Sequence, residues 1–167
     1  GSFDEDPNGE YYISIDYGTV NPTSMGLWCK SGKDAVRVRE CYYDSRKELK
    51  QLTDEEYYVK LCELAKGHDI RYVIIDPSAA SFIATIRKHN RFIVKKADNK
   101  VLDGIRLCAT LLSCGRLRFS EECKDIFREF GAYCWDNECV EDKVIKKNDH
   151  AMDDMRYFCQ SVMRKVR

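Results

Sequence analysis

The sequence predicts an α/β fold in which helices flank a mixed sheet of five or more strands. Three consecutive strand patterns, residues 11–16, 24–30 and 35–43, open the chain and are joined by short turns. Helical and strand patterns then alternate, with short apolar strands at residues 71–76 and 92–95. Consecutive strands predict an antiparallel meander, whereas strand–helix–strand order predicts parallel pairing.

Length and composition are typical of a single globular domain. The chain has 167 residues, of which 44% are hydrophobic and 34% charged, enough to bury one core. We interpret residues 1–10 as a tag or flexible lead-in and residues 11–167 as the folded domain. No apolar run approaches the roughly 18 residues of a membrane helix, and no signal-peptide pattern is present. We therefore expect neither membrane insertion nor secretion.

Charge and cysteine usage narrow the possible partners. Lys plus Arg and Asp plus Glu both number 28, so the formal net charge is zero. Any contact with nucleic acid must therefore come from local basic patches. Nine cysteines are scattered singly without a C-x-x-C pair, which favours reduced, mostly buried thiols over a zinc site.

The first strand ends in a single carboxylate. Its residues alternate between two faces, with Ile13 and Ile15 on one face and Ser14 and Asp16 on the other. Gly18 and the Asn-Pro pair that follows end the strand. Asp16 should therefore lie at its C-terminal end, either as a turn residue or as a ligand.

A second acid ends a second strand. Residues 71–76 form a nearly continuous apolar run, typical of a strand that is buried on both faces. Pro77 prevents the strand from continuing, so Asp76 should also lie at a strand end.

The predicted helices begin at capping residues. Thr53 and Glu56 form a capping-box pattern, and we expect Val101, Ile105, Cys108 and Leu112 to share the inward face of one later helix. The predicted helices run from Thr53 to Gly67, from Ser78 to about His89, from Asp98 to about Cys114, from Ser120 onward, and from Asp149 or His150 towards the C-terminus. Residues 135–147 are charged and irregular, and we interpret them as a hairpin or an extended loop.

The last helix carries a third acidic position. His150, Asp153 and Tyr157 are spaced i, i+3 and i+7 and therefore share one helical face. Asp154 is turned about 100° from Asp153 and is expected to be the less inward of the two. Alternatively, Asp149 is a helix cap and the other two acids are ordinary first-turn residues.

Taken together, these acids suggest a site for hard divalent cations. Asp16, Asp76 and Asp153, with His150 beside them, offer the oxygen ligands that Mg²⁺ and Mn²⁺ prefer. Two such ions about 4 Å apart can hydrolyse phosphodiesters, one activating water and the other stabilising the leaving oxygen.

Three motifs resemble one protein family. IDYG around Asp16, VIIDPSA around Asp76 and NDHAMDDMRY at residues 148–157 resemble the C-terminal nuclease domain of the large terminase subunit of tailed phages and prophages. KKADNKVLDGI, residues 95–105, is similar to the same family. The resemblance spans about residues 11–158, and its last motif is the most specific.

The resemblance implies an RNase H-like fold in which the first and fourth strands are adjacent and parallel. It also implies that the domain cleaves double-stranded viral DNA during genome packaging, in the cytoplasm of an infected or lysogenic bacterial host. Asp16, Asp76 and Asp153 match the metal-binding acids, and His150 matches a histidine near the site. The implied partners are an ATPase domain in the same polypeptide, the small terminase subunit and the portal.

Two basic clusters are candidates for DNA contact. One contains Lys95 and Lys96, and the other, just before the last helix, contains Lys143, Lys146 and Lys147. These residues could grip phosphates without reading the DNA sequence; the alternative is an ordinary solvated face.

Two other functions remain possible from the sequence. Residues 16–19, Asp-Tyr-Gly-Thr, also resemble the phosphate-binding D-x-G-T turn of actin-like and sugar-kinase ATPases. No second D-x-G pattern appears late in the chain, which those proteins require. The other alternative is a non-catalytic module that docks DNA or a portal on the same scaffold.

Overall fold

Six strands form one mixed sheet in the computed structural model, which describes residues 8–98, 100–134 and 149–164. The strands are β1 (Glu10–Asp16), β2 (Thr23–Ser31), β3 (Asp34–Tyr43), β4 (Ile70–Ile75), β5 (Val94–Lys96) and β6 (Leu117–Phe119). Their order across the sheet is β5-β4-β1-β2-β3-β6.

The predicted mixed sheet is confirmed. β1, β2 and β3 pair antiparallel as a meander, whereas β4 lies parallel to β1 and β5 lies parallel to β4. The sixth strand was not predicted. Its three residues pair parallel with Ala35, Val36 and Arg37 of β3, and so short a run carries no periodic signal of its own.

Helices cover both faces of the sheet. They are α1 (Ser45–Glu48), α2 (Asp54–Ala65), α3 (Ala80–His89), α4 (Val101–Ser113), α5 (Lys124–Cys134) and α6 (His150–Phe158), which continues as a π-helical turn, Cys159–Met163. Helices α2 and α3 pack on one face around Ile13, Ile15 and Phe82. Helices α4, α5 and α6 pack on the other face around Trp28 and Phe158, whose rings stack 4.4 Å apart.

One predicted helix cap is confirmed and three are wrong. Thr53 Oγ1 accepts a hydrogen bond from Glu56 N, and Glu56 Oε1 accepts one from Thr53 N, both at 3.1 Å. By contrast, α3 and α4 have no side-chain cap, and α5 begins at Lys124, after the predicted Ser120. The short polar side chains form turns before these helices instead: Asp76, Asp98 and Ser120 each accept a hydrogen bond from the backbone N–H two residues later.

The predicted buried face of α4 is confirmed at Cys108, but the most deeply buried residues lie to one side of it. Gly104, Cys108 and Leu111 are its buried residues, whereas Val101, Ile105 and Leu112 are only partly covered. The helix is turned so that Gly104 faces α6, because the side chain of Arg156 lies directly over this glycine.

Several predictions concern residues outside the described part of the chain. These are the lead-in before Asn8, the loop at residues 135–147, and Lys143, Lys146 and Lys147 within it. The seven cysteines whose side chains the structure describes all carry free thiols. Among the described helices, none combines the length and apolarity needed to cross a membrane.

Candidate metal centre

The parallel pairing of β1 with β4 brings the two strand-end acids to the same end of the sheet, at the C-terminal ends of these strands. Ile15 lies opposite Ile75 in this pairing. Asp16 follows Ile15 and Asp76 follows Ile75, so both acids lie at the same end of two adjacent strands, as predicted.

Helix α6 brings two further side chains to this end of the sheet. His150 Nδ1 lies 2.8 Å from Asp16 Oδ2, and the two side chains are only 13% and 17% exposed. Asp153, one turn along the helix, completes a group in which each residue offers one ligand atom within 4.8 Å of the others. Asp16, His150 and Asp153 therefore converge from a strand and a helix.

Asp76 borders this group without belonging to it at the 4.8 Å limit. Its Oδ2 accepts a hydrogen bond of 3.2 Å from the Tyr157 hydroxyl, and its Oδ1 accepts one of 2.8 Å from Ser78 N. Burial, together with the charges of Asp16, Asp153 and Asp76, raises the pKa of Tyr157. Tyr157 is therefore held as a protonated donor against Asp76.

Burial and neighbouring negative charges raise the pKa values of both carboxylates in the group. Burial, with the nearby charges of Asp149 and Asp16, raises the pKa of Asp153 to about 7. Burial also raises the pKa of Asp16, although the hydrogen bond with His150 opposes it. Burial disfavours the protonated form of His150, but the hydrogen bond and charge of Asp16 outweigh it and raise the pKa of this imidazole. A bound cation would relieve this mutual repulsion.

The donor set fits a divalent metal ion. Two carboxylates and one imidazole are present, and such oxygen and nitrogen donors bind divalent cations. His150 Nε2 is buried and has no hydrogen-bond partner among the residues that the structure describes. Buried ring nitrogens are normally paired, so this atom is available as a ligand.

Asp154 differs from its prediction. It was expected to be the less inward of the two adjacent acids, yet its side chain is fully buried. It does not belong to the metal-binding group and accepts two hydrogen bonds, of 2.5 and 3.0 Å, from the Arg37 guanidinium. Nothing in the local sequence indicated that an arginine of β3 lies beneath this position.

The described candidate DNA contacts lie at the β5 edge of the sheet. Lys95 Nζ donates a hydrogen bond to the carbonyl of Ser161 and lies 5.6 Å from the centre of the Tyr72 ring. Lys96 is exposed and lies opposite Ile75 in the pairing of β4 with β5, which places it one strand away from Asp76.

Sequence reasoning missed Glu129, a buried residue of α5. Its carboxylate accepts hydrogen bonds from Ala151 N and Met152 N, at 3.0 and 2.8 Å, in the first turn of α6. Burial raises the pKa of Glu129 to about 7, although both backbone donors oppose this. Glu129 lies 22 residues before Ala151, and no local pattern reveals the contact.

Comparison with known proteins supports the resemblance found in the motifs. No protein-family model and no curated protein matches the chain. The large terminase of the thermophilic bacteriophage D6E, in complex with ADP, is 43% identical over 95% of this chain, with a TM-score of 0.85. The P22 large terminase nuclease domain is 18% identical and superposes with a TM-score of 0.74, over 99% of this chain and 90% of that domain. The fold is that of a large-terminase nuclease domain.

A third nuclease shares this terminase nuclease fold. The large terminase nuclease of the thermophilic phage G20c, with bound zinc, is 14% identical, with a TM-score of 0.64 over 94% of this chain and 84% of that one. Another structure of that nuclease contains cobalt. The RNase H-like prediction is confirmed, and the ATPase alternative is not favoured. The chain covers only 41% of the D6E terminase.

Proposed function

We propose that residues 11–167 are the nuclease domain of a phage or prophage large terminase and cleave double-stranded DNA during genome packaging. One observation carries this proposal: ligand atoms of Asp16, His150 and Asp153 converge within 4.8 Å of one another at the end of strand β1 in a terminase nuclease fold. We propose the cytoplasm of an infected or lysogenic bacterial host as the place of action.

Two divalent ions are the proposed cofactors, with Asp16, Asp76 and Asp153 as ligands and His150 beside them. The ions would activate water and stabilise the leaving oxygen of a phosphodiester. The G20c nuclease has been observed with zinc and with cobalt, which supports a divalent ion. The carboxylate-rich donor set favours Mg²⁺ or Mn²⁺ as the working metal.

The chain itself orients each proposed ligand. Asp16 contacts the imidazole of His150, and Asp76 accepts a hydrogen bond from the hydroxyl of Tyr157. Arg156 Nη2 donates to Asp153 Oδ1 at 3.0 Å. Such outer partners fix the rotamer of a ligand before the metal arrives. Asp16 occupies the central position, between Asp76 on the adjacent strand and Asp153 on α6.

The proposed macromolecular partners follow from the same family assignment. We propose that Lys95, Lys96, Lys143, Lys146 and Lys147 contact DNA phosphates. The other proposed partners are an ATPase domain of the same polypeptide, the small terminase subunit and the portal. That the chain matches only part of the D6E terminase is consistent with a longer polypeptide.

Plasmid nicking in the presence of Mn²⁺ tests the catalytic assignment. We expect Asp16→Asn, Asp76→Asn and Asp153→Asn to reduce nicking activity by more than the roughly 10–100-fold loss that is typical when an outer partner of a metal ligand is changed. Asp69→Asn is the matched control, because this exposed acid immediately precedes β4, at the opposite end of the sheet. Equal nicking by all five proteins would refute the nuclease assignment and leave the DNA-docking alternative.

A further inference from the structure

We propose that a closed ring of buried and partly buried hydrogen bonds holds the first turn of α6 at a fixed position relative to Asp16. The ring passes through Asp154, Arg37, Glu40, helix α5 and Glu129 before it returns to α6. These side chains are then positioning residues of the metal centre. This inference rests on the proposed function and adds to it the structural element that sets the ligand geometry.

The first part of the ring ties α6 to the sheet through Asp154. Arg37 of β3 donates two hydrogen bonds to this carboxylate. Ser14 Oγ of β1 and Ser24 Oγ of β2 donate two more, at 2.8 and 2.6 Å. Donors from three strands therefore engage both oxygens of Asp154. Ser14 lies on the same strand as Asp16 and two residues before it, so this contact fixes α6 relative to the strand that carries Asp16.

The second part of the ring leads from β3 to α5. Arg37 Nε donates to Glu40 Oε1 at 3.1 Å, and Glu40 Oε2 accepts a hydrogen bond of 2.5 Å from Asp125 N. Asp125 lies in the first turn of α5. A carboxylate at a helix N-terminus pairs with free N–H groups and is favoured by the helix dipole. The start of α5 is thereby held against the sheet.

The third part returns from α5 to α6 through Glu129, one helical turn after Asp125. Helix α6 has no side-chain cap of its own, and Glu129, on a different helix, accepts two hydrogen bonds from its first-turn amides. The two amides belong to Ala151 and Met152, which lie between His150 and Asp153 in sequence. Glu129 therefore holds the backbone segment that joins two proposed ligands.

The ring is more consistent with a role in positioning than with a role in stability. A buried ion pair contributes little net stability compared with apolar residues of similar volume, but its hydrogen bonds allow only one arrangement. Gly26 provides the space that the ring needs, because a Cβ atom there would collide with the Arg37 guanidinium.

Glu129→Gln is the first test, because glutamine keeps the size of the side chain but places an NH₂ group where one backbone N–H donates. We expect amide hydrogen exchange at Ala151 and Met152 to accelerate. We also expect Mn²⁺ affinity, measured by calorimetry well below the melting temperature, to fall about 10–100-fold. The matched control is Thr53→Ala, which removes the cap of α2. This control should lower the melting temperature and leave Mn²⁺ affinity unchanged.

A second variant, Arg37→Met with Glu40→Gln and Asp154→Leu, removes the charged part of the ring without leaving an unpaired charge. We expect it to retain its melting temperature within a few degrees and to bind Mn²⁺ about 10-fold more weakly. This variant keeps the inference testable if Glu129→Gln fails to fold.

The outcomes separate the two proposals. If the parent protein binds Mn²⁺ and both ring variants bind it equally well, the positioning role is overturned while the proposed function stands. Affinity that falls with the melting temperature in Thr53→Ala as well would show an ordinary stability effect and overturn the positioning role. If the parent does not bind Mn²⁺, or Asp16→Asn binds it equally well, the proposed function is refuted. The positioning role of the ring is then refuted as well.

Discussion

Asp153 and Asp154 are adjacent in sequence but lie in opposite environments. The carboxylate of Asp153 is 24% exposed and faces Asp16, whereas Asp154 is fully buried against Arg37. A metal ligand and a structural ion pair respond differently to loss of charge. The two aspartates can therefore be distinguished by measuring stability and activity on the same variants.

We predict that Asp153→Asn abolishes Mn²⁺-dependent nicking with little loss of stability. Asp154→Asn should cost about 3–5 kcal/mol of unfolding free energy, because it leaves the Arg37 charge buried without its full partner. Below its lowered melting temperature, Asp154→Asn should retain more activity than Asp153→Asn. Denaturant unfolding and plasmid nicking on the same preparations measure both quantities. The reverse order of activities would make Asp154 the third ligand.

The stability of the metal-free protein should fall as the pH rises. The pKa of Asp153 is about 7 in the folded protein, above its ordinary value of 3.8, so the folded state holds a proton that the unfolded chain releases. The stabilisation is complete below about pH 4 and is lost as the pH rises through 7. Glu129, also with a pKa of about 7, acts in the same direction above about pH 4.5.

In EDTA, we expect the unfolding free energy to decrease between pH 5 and pH 8 by on the order of 5 kcal/mol from the two groups together. Asp153→Asn should roughly halve this dependence, because Glu129 still contributes, and raise the melting temperature at pH 8. Asp69→Asn should leave the curve unchanged. A metal-free protein more stable at pH 8 than at pH 5 would contradict the raised pKa values.

The positions of the candidate site residues were largely predictable from the sequence because they are encoded locally. Asp16 and Asp76 each follow a recognisable strand, and the spacing of His150 and Asp153 on one helix needs only helical geometry. Glu129 was not predictable, since its partners are backbone amides of a helix that is distant in sequence.

At the scale of elements, α4 shows why apolar periodicity alone misplaced the centre of its buried face. Val101, Ile105 and Leu112 recur at helical spacing, yet Gly104 is the residue turned towards α6. The aliphatic part of Arg156 occupies the space that a side chain at position 104 would need. The orientation of α4 is therefore set by a close approach to a long charged side chain, which a count of apolar residues does not detect.

We predict that Gly104→Ala destabilises the protein although alanine favours helix by about 1 kcal/mol. Its Cβ would collide with the stem of Arg156 and the amide of Gln160, and such overpacking costs about 1–3 kcal/mol. Displacement of Arg156 should also loosen its hydrogen bond to Asp153 and weaken Mn²⁺ binding.

The matched control for this substitution is Gly131→Ala in α5, where a Cβ would meet no atom within 4 Å. This variant should gain up to about 1 kcal/mol from helix propensity alone. Chemical denaturation of both variants and the parent decides the point. Equal stabilisation by the two substitutions would show that α4 and α6 are not in close contact at Gly104.

Over the whole molecule, the sheet separates two buried hydrophobic clusters. It also brings Asp16, Asp76 and Asp153 of the candidate site to one end, called here the acidic end. The turn between β2 and β3, which contains Lys33, lies at the other end, because β2 runs antiparallel to β1. With a formal net charge of zero, the protein has no overall positive field to attract DNA. Under the proposed function, affinity for DNA depends on cations close to the acidic end, and it should depend strongly on salt.

We predict that Lys96 contributes one phosphate contact and Lys95 a smaller one, because Lys95 Nζ is already held by the carbonyl of Ser161. In an Asp153→Asn background, which prevents cleavage, Lys96→Gln should reduce the slope of log affinity against log salt by about 0.9. Lys95→Gln should reduce it less, and Lys33→Gln, at the opposite end of the sheet, should leave it unchanged. Fluorescence anisotropy of a labelled duplex at several salt concentrations measures these slopes. Equal slopes for Lys96→Gln and Lys33→Gln would place the DNA elsewhere on the surface.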